Sequence, residues 1–451
     1  MPAFARSARR EEVIPANWPL AVPPSESRRS FILNAINGSL FNFAETLMDP
    51  NLVLVWLVSA LTSSNLLIAA IGTIGAGSWF LPQLFLSGWV QSKPRTIVIY
   101  RWAASIRIAT WLVLVASLWW IEDRGLLLIA FFIFYTVMKL MAGTAGLPFM
   151  EVTAKTIPPW WRGRLFATRQ LLGGLLGLVA GWLVKWLLGQ EGLPFPRNYA
   201  VLIFIAAMSG SLALLIFSLI HEPPTPNPRP AAPVREQIRR GWAALKEDLD
   251  FRYFTLGRMS LFFGMIAIPF FTIVARKVLQ APPEAAGDYI LIATLTALIF
   301  NYPFGILVDR RGKRWGMLVA SVGWGLTSLF ALLLVVAATR GWLTALPFPA
   351  YRLAYPLFFL RGFFTPFDRL AGYNLLLEIA PERDRILYLG FANTLFGLVL
   401  LLSTVGGKLV DRFGLGGIFV LSLALNGLAA YFFRRIRKGG PVQAPTGTAQ
   451  V

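Results

Sequence analysis

The sequence predicts an all-α polytopic membrane protein of about twelve transmembrane helices, arranged as two pseudo-symmetric six-helix bundles. Three observations lead there. First, 56% of the 451 residues are hydrophobic and only 14% are charged, a composition unsuited to a water-facing surface. Second, apolar runs of roughly twenty residues recur from Phe31 to Phe433, each long enough to cross a hydrocarbon core about 30 Å thick. Lipid offers no partner to an unpaired backbone group, so each run must be a helix. Third, six runs fall on each side of one proline-rich interruption, and the two sets echo each other at an offset of about 222 residues.

In chain order the expected helices cover 31–58, 66–90, 97–120, 126–149, 165–188, 199–220, 251–274, 287–308, 315–338, 350–377, 386–406 and 415–433. They divide the chain into a tail (1–30), a first bundle (31–220), a linker (221–250), a second bundle (251–433) and a closing tail (434–451). The net charge of +20 does not point to nucleic acid, because the basic residues are spread between apolar runs rather than gathered in one patch. Lys and Arg number about 26 on the side that holds both ends of the chain and about 7 on the other, the asymmetry that orients membrane proteins. Both termini are therefore expected in the cytoplasm, with the helices in the inner (plasma) membrane. Residues 1–30 carry Arg6, Arg9, Arg10, Arg28 and Arg29 without an apolar core and cleavage site, so they read as a cytosolic tail and not a removed signal. With no Cys and a single His, His221, neither disulfides nor a metal site is expected, nor any cofactor.

The linker opens HEPPTPNPRPAAP, where successive prolines forbid helix. Beyond it Val234, Ile238, Trp242, Leu245 and Leu249 recur every three to four residues among Arg235, Arg239, Arg240 and Lys246, the pattern of an amphipathic helix in the cytoplasmic interface. Within the repeat, Ile157-Pro158-Pro159 falls opposite Ile379-Ala380-Pro381, Pro82 near Pro303, and Lys139 opposite Arg361. Two six-helix repeats favour a transporter over a channel or a single bundle.

Between the eighth and ninth runs the chain reads Gly305-Ile-Leu-Val-Asp309-Arg310-Arg311-Gly312-Lys313-Arg314. This resembles the loop motif GxxxDRxGR(K/R) of the major facilitator superfamily. Gly305 would let two helices approach, Asp309 would face a helix N-terminus, and the basic cluster would bind carboxylates or carbonyl ends, so the segment reads as a cytoplasmic gate. The first-half counterpart, Gly88-Trp-Val-Gln-Ser-Lys93-Pro94-Arg95, lacks the Asp-Arg core. A further Gly407-Lys-Leu-Val-Asp411-Arg412-Phe-Gly414 before the last run reads as a turn. In the fourth run Lys139-Leu-Met-Ala-Gly143 is similar to the superfamily's RxxxG pattern with Lys in place of Arg. The resemblance implies that the first, fourth, seventh and tenth helices line a central cavity, flanked by Lys139 and Arg361 from opposite halves. Gly173, Gly177 and Gly181 in the fifth run make a smooth face for helix packing; the Gly-Pro pair of the superfamily's antiporters is absent.

The first run holds Asn34, Asn37, Asn42, Glu45 and Asp49, all within an arc of about 140° at about 100° per residue. Glu45 and Asp49 lie one turn apart, so their charges repel and a proton is the expected occupant of one of them. A cation approaching in one conformation and leaving in the other, Lys139 or Arg361, would couple that proton to movement of a small solute. Arg101, Arg107, Arg169, Arg258 and Arg369 are alternative partners, and the bland reading makes Asp49-Pro50-Asn51 a helix end. Glu151, Glu378 and Glu382 are the expected latch acids for Arg310, Lys313, Arg314, Arg162 and Arg164. The expected function is secondary transport by a monomer. A transporter-like scaffold is the alternative; a lipid-modifying enzyme is less favoured, since no His base, acid cluster or phosphate loop is visible.

Overall fold

The computed structural model describes residues 23–189, 193–225, 233–343, 346–381 and 384–437. Glu382, Arg6, Arg9 and Arg10 lie outside the described residues. The first crossing is built from two helices, α1 (Pro24–Leu47) and α2 (Val53–Leu61). They part at Asp49-Pro50-Asn51, where Pro50 has no N–H to donate and Asp49 Oδ1 instead accepts from the Asn51 N–H at 2.8 Å. The expected single helix over 31–58 is thus corrected: it starts inside the expected tail and breaks in the middle. Five further crossings follow as α3 (Asn65–Gln91), α4 (Ile97–Trp120), α5 (Arg124–Thr156), α6 (Pro159–Gly189) and α7 (Arg197–Ser218).

Helix α8 (Val234–Glu247) is the expected linker helix. It lies against the second half, where Trp242 packs edge-on to Phe391 and Arg240 meets Asp384 at 2.7 Å. The seventh crossing, like the first, is interrupted: α9 (Leu249–Gly264) passes through a 3₁₀ turn (Met265–Ala267) into α10 (Ile268–Ile273) and a π turn (Val274–Val278). Then come α11 (Ala285–Arg311), α12 (Lys313–Thr339), α13 (Tyr355–Ile379), α14 (Arg385–Leu402) and α15 (Gly406–Arg435).

Among the described residues nine stretches are long and apolar enough to cross a membrane. The last, Leu387–Arg435, has 49 residues, about 74 Å as one helix, and so makes two crossings. They turn at Gly414, whose φ of 69° suits glycine alone among common residues. The segment from Gly407 to Phe413 is therefore helical, and the expected turn there shrinks to one residue. The first crossing misses the count through its break and polar stripe, the tenth through Arg361, Asp368 and Arg369; with them the crossings number twelve, and both ends of the described chain share one face.

The packing repeats between halves. In the first, α1 packs on α6 and α7, α3 on α5, and α4 on α5 and α7; in the second, α9 packs on α14 and α15, α11 on α13, and α12 on α13 and α15. The halves meet along two seams, α3 against α14 and α6 against α11. Pro82 and Pro303, expected as equivalents, both sit inside helices facing these seams.

Candidate functional site

The two seams differ. Along α3 and α14 the halves are bonded over most of their length, from Asn65 donating to Asp411 (2.7 Å), through Thr73 and Thr404 (2.7 Å), to Asn393 donating to Gln83 (3.0 Å). Along α6 and α11 they touch only at the face away from the termini. There Lys185 pairs with Asp288 at 2.9 Å, and a Cβ added to Gly287 would stand 2.5 Å from the Gly181 carbonyl. Gly177 faces Thr294 and Gly174 faces Leu298, and beyond that level the helices part. The same far rim is closed at the first and seventh crossings, where Thr272 donates to the Asn51 carbonyl at 2.6 Å and Arg276 donates to Ser59 and to the Trp56 carbonyl.

The parting leaves a cavity of about 660 Å³. Its walls come from the first, fifth, eighth and tenth crossings: Asn42, Thr46 and Asp49; Gln170, Leu171 and Gly173; Thr294, Leu298, Asn301 and Tyr302; Arg361, Thr365 and Arg369. It runs from Leu52 and Asp49 at the deep end to Asp309 at the termini face. The expectation that the fourth and seventh helices line it is corrected. A rocking opened along one seam exposes the helices of that seam, α6 and α11, and leaves α5 covered.

The acidic stripe is answered by two cations related through the repeat. Lys139 of α5 donates to Glu45 at 2.6 Å, and Arg361 of α13 donates to Asp49 at 2.8 Å. The first pair lies within one half; the second joins the halves at the deep end of the cavity. Each carboxylate thus carries its own cation, which offsets the expected repulsion between Glu45 and Asp49. The helix break after Leu47 also turns Asp49 toward the second half while Glu45 stays on the α4 and α5 side. Lys139 is thereby buried, off the cavity wall. Its Nζ also lies 5.7 Å from the Tyr135 ring centroid. Arg107 stands 3.8 Å from Glu45 between the Phe41 and Trp111 rings, and its Nε and Nη2 have no hydrogen-bond partner.

The start of the stripe serves a different cation. Asn34 and Asn37 turn their side-chain oxygens to Arg169, which also donates to the Asn34 carbonyl and stacks on Phe149. Asn42 donates to the Arg169 carbonyl at 3.3 Å and lies against Gly173, where an added Cβ would be 2.3 Å from its Nδ2. Gly173, Gly177 and Gly181 therefore face α1 and α11 together. Arg101 donates to the Ser218 carbonyl, and Arg258 pairs with Asp368. Asp368 went unremarked in the sequence, although an acid inside an apolar run is itself a signal.

Gly305 and Asp309 of the loop motif stand at the cavity mouth. Nothing approaches an added Cβ at Gly305 nearer than Leu370 at 4.0 Å, so it makes no close helix contact in this open seam. Asp309 pairs with Lys313 at 2.6 Å, and Gly312, at φ 92°, makes the turn between α11 and α12. Arg314 donates to the Ile436 carbonyl at 2.6 Å, and Arg310 is exposed. Among the described residues Glu378 lies near enough to Lys313 to be acted on by its charge, but neither it nor Glu151 makes a close ion pair with Arg310, Lys313 or Arg314. Glu151 pairs with Lys155, and Arg162 donates to the Ala154 and Ile157 carbonyls. Among the described residues no group of three His, Asp or Glu stands close enough to hold a metal ion.

Comparison with curated protein sequences returns no match. Solved structures share the architecture: a D-xylose-proton symporter (TM-score 0.65, 16% identity, 91% of this chain and 97% of that one), a nucleoside transporter (0.64, 14%, 92% and 100%), and a POT family transporter in complex with 5-aminolevulinic acid (0.68, 12%, 90% and 95%). Residues 254–450 match the family described as Major Facilitator Superfamily. The family match covers the second half alone; over both halves the chain shares the fold of these solved structures.

Proposed function

We propose that the chain is a secondary transporter that moves a small solute through the inner membrane by alternating access, coupled to protons, with both termini in the cytoplasm. The observation that carries this reading is the ion pair between Asp49 of the first half and Arg361 of the second, 2.8 Å apart at the deep end of a cavity open toward the termini. Protonation of Asp49 removes one of the bonds that join the halves, so proton uptake and the rocking of one half on the other become linked equilibria. Lys139 holds Glu45 in place beside it, and the Asp309 to Arg314 segment is the gate on the cytoplasmic face. The D-xylose-proton symporter, whose fold this chain shares, is in keeping with the coupling. The excess of Lys and Arg on the termini side supports the orientation.

The test is reconstitution into liposomes with an imposed pH gradient and a solute panel, comparing the native chain with Glu45→Gln, Asp49→Asn, Lys139→Ala and Asp309→Asn. Asp49→Asn is expected to abolish gradient-driven accumulation while sparing exchange at equal pH. Unchanged flux in all four variants would sink the assignment, and no flux of any solute would favour a scaffold role.

A further inference from the structure

The charges along the cavity do not cancel. At its mouth Asp309 is answered by Lys313, and at its deep end Asp49 is answered by Arg361. Arg369 stands between them on α13, eight residues from Arg361, about 12 Å along the helix. It lines the cavity and is exposed. None of the hydrogen bonds or ion pairs among the described residues belongs to it. Its backbone neighbour Asp368 is committed to Arg258. Asp368 also acts on Arg369 through space but is shared with Arg258, leaving two guanidiniums to one carboxylate; a cation so under-compensated within a membrane crossing costs free energy unless water or an anion meets it, and its planar fork suits a carboxylate or phosphate.

On the side of the parted seam the chamber wall is largely apolar, interrupted by Gln170 and Asn301. Leu171 of α6 is 54% exposed, Tyr302 of α11 is 77% exposed and Ile306 is 39% exposed, and all three line the cavity. Exposure of this extent on a chamber wall marks a gap that no neighbouring helix fills, here between α6 and α11 on the termini side of Gly174 and Leu298. The opposite seam is bonded as far as Gln83 and Asn393.

Resting on the transport reading above, we infer that the substrate is an anionic amphiphile: a single carboxylate or phosphate head held by Arg369, with an apolar tail lying in the gap beside Leu171 and Tyr302. A chamber of about 660 Å³ falls within the range of sites for molecules of that size, about 300–1,000 Å³. The head, moving one or two turns deeper, would also reach Arg361 and compete with Asp49 for it.

The experiment is equilibrium binding to the full chain in lipid nanodiscs, with radiolabelled decanoate as the probe and empty nanodiscs subtracted. Decanol supplies the tail without the charge, acetate the charge without the tail, and decyl phosphate a second head. Saturable decanoate binding is expected, displaced by decyl phosphate and not by equimolar decanol or acetate. Arg369→Gln is expected to weaken it at least about tenfold, which is about 1.4 kcal/mol, with Arg369→Lys restoring most of it. Leu171→Asp is expected to weaken decanoate and leave acetate as weak as before. Equal displacement by decanol, an unchanged Arg369→Gln, or no saturable binding overturns the inference. Flux of a neutral solute without decanoate binding would overturn it while sparing transport; decanoate binding without any flux would spare it and overturn transport.

Discussion

Replacing Lys139 with Met removes the charge that faces Glu45 and leaves the volume nearly unchanged. At 2.6 Å and an effective dielectric of about 20, the pair's attraction is about 6 kcal/mol; Arg107, already 3.8 Å from the same carboxylate, supplies about 4 by the same arithmetic. Arg107 acts before and after the substitution, so its attraction does not offset the loss; the desolvation of the Lys139 ammonium, which Met no longer incurs, does, and the net cost is expected at about 2 kcal/mol, less than the 3–5 or so that follows when a buried charge is left with no partner. For a half of about 190 residues this lowers the unfolding midpoint by about 4–8 °C. Thermal unfolding of the purified protein in mild detergent, followed by tryptophan fluorescence, measures it. The sign must reverse in a Glu45→Gln background, where Lys139 is a cation without its counter-ion and Lys139→Met becomes neutral or stabilising. Two results would refute the reasoning: a shift below about 1 °C for the single variant, or simple additivity in the double variant.

Other consequences follow from the same geometry. Gly287→Ala drives a methyl to within 2.5 Å of the Gly181 carbonyl and the Lys185 nitrogen, so it should cost about 1–3 kcal/mol and pry open the far rim; with no native Cys in the chain, labelling of a single cysteine placed at Thr294 by a membrane-impermeant thiol reagent supplied only on the face away from the termini reports the opening. Glu222, buried at the start of the linker, accepts from the Ile97 N–H (2.6 Å), Thr96 (3.0 Å) and Lys155 (2.5 Å). Glu222→Ala strands these donors and should destabilise the first half by about 3 kcal/mol, read in the same melting assay. Asp309→Asn breaks a pair whose acid is 74% exposed, so the melting midpoint should scarcely move, by under about 1 kcal/mol of stability, and a change in flux would report gating rather than folding.

How much of the site was legible depends on how far each feature reaches in sequence. Lys139 and Arg361 stand out as cations in apolar runs, and the repeat alone pairs them. Their partners did not stand out equally. Glu45 and Asp49 share a helical face only if α1 is continuous; Pro50 ends that continuity and sends the two acids to different halves. Arg369 looked like one more possible partner for those acids, and only its place on the cavity wall shows it to be the cation left over.

The sequence by itself determined the helical class, the crossings, the linker and the two-fold repeat. It could do so because a bilayer forces each backbone segment to satisfy its own hydrogen bonds within about twenty residues, so the information is local. Tertiary structure alone decided that the fifth and eighth crossings rather than the fourth and seventh wall the cavity, that Gly305 faces open space, and which carboxylate meets which cation. Those outcomes depend on which seam between the halves is open and on the azimuth of side chains beyond a helix break, and both are set by contacts between residues hundreds of positions apart.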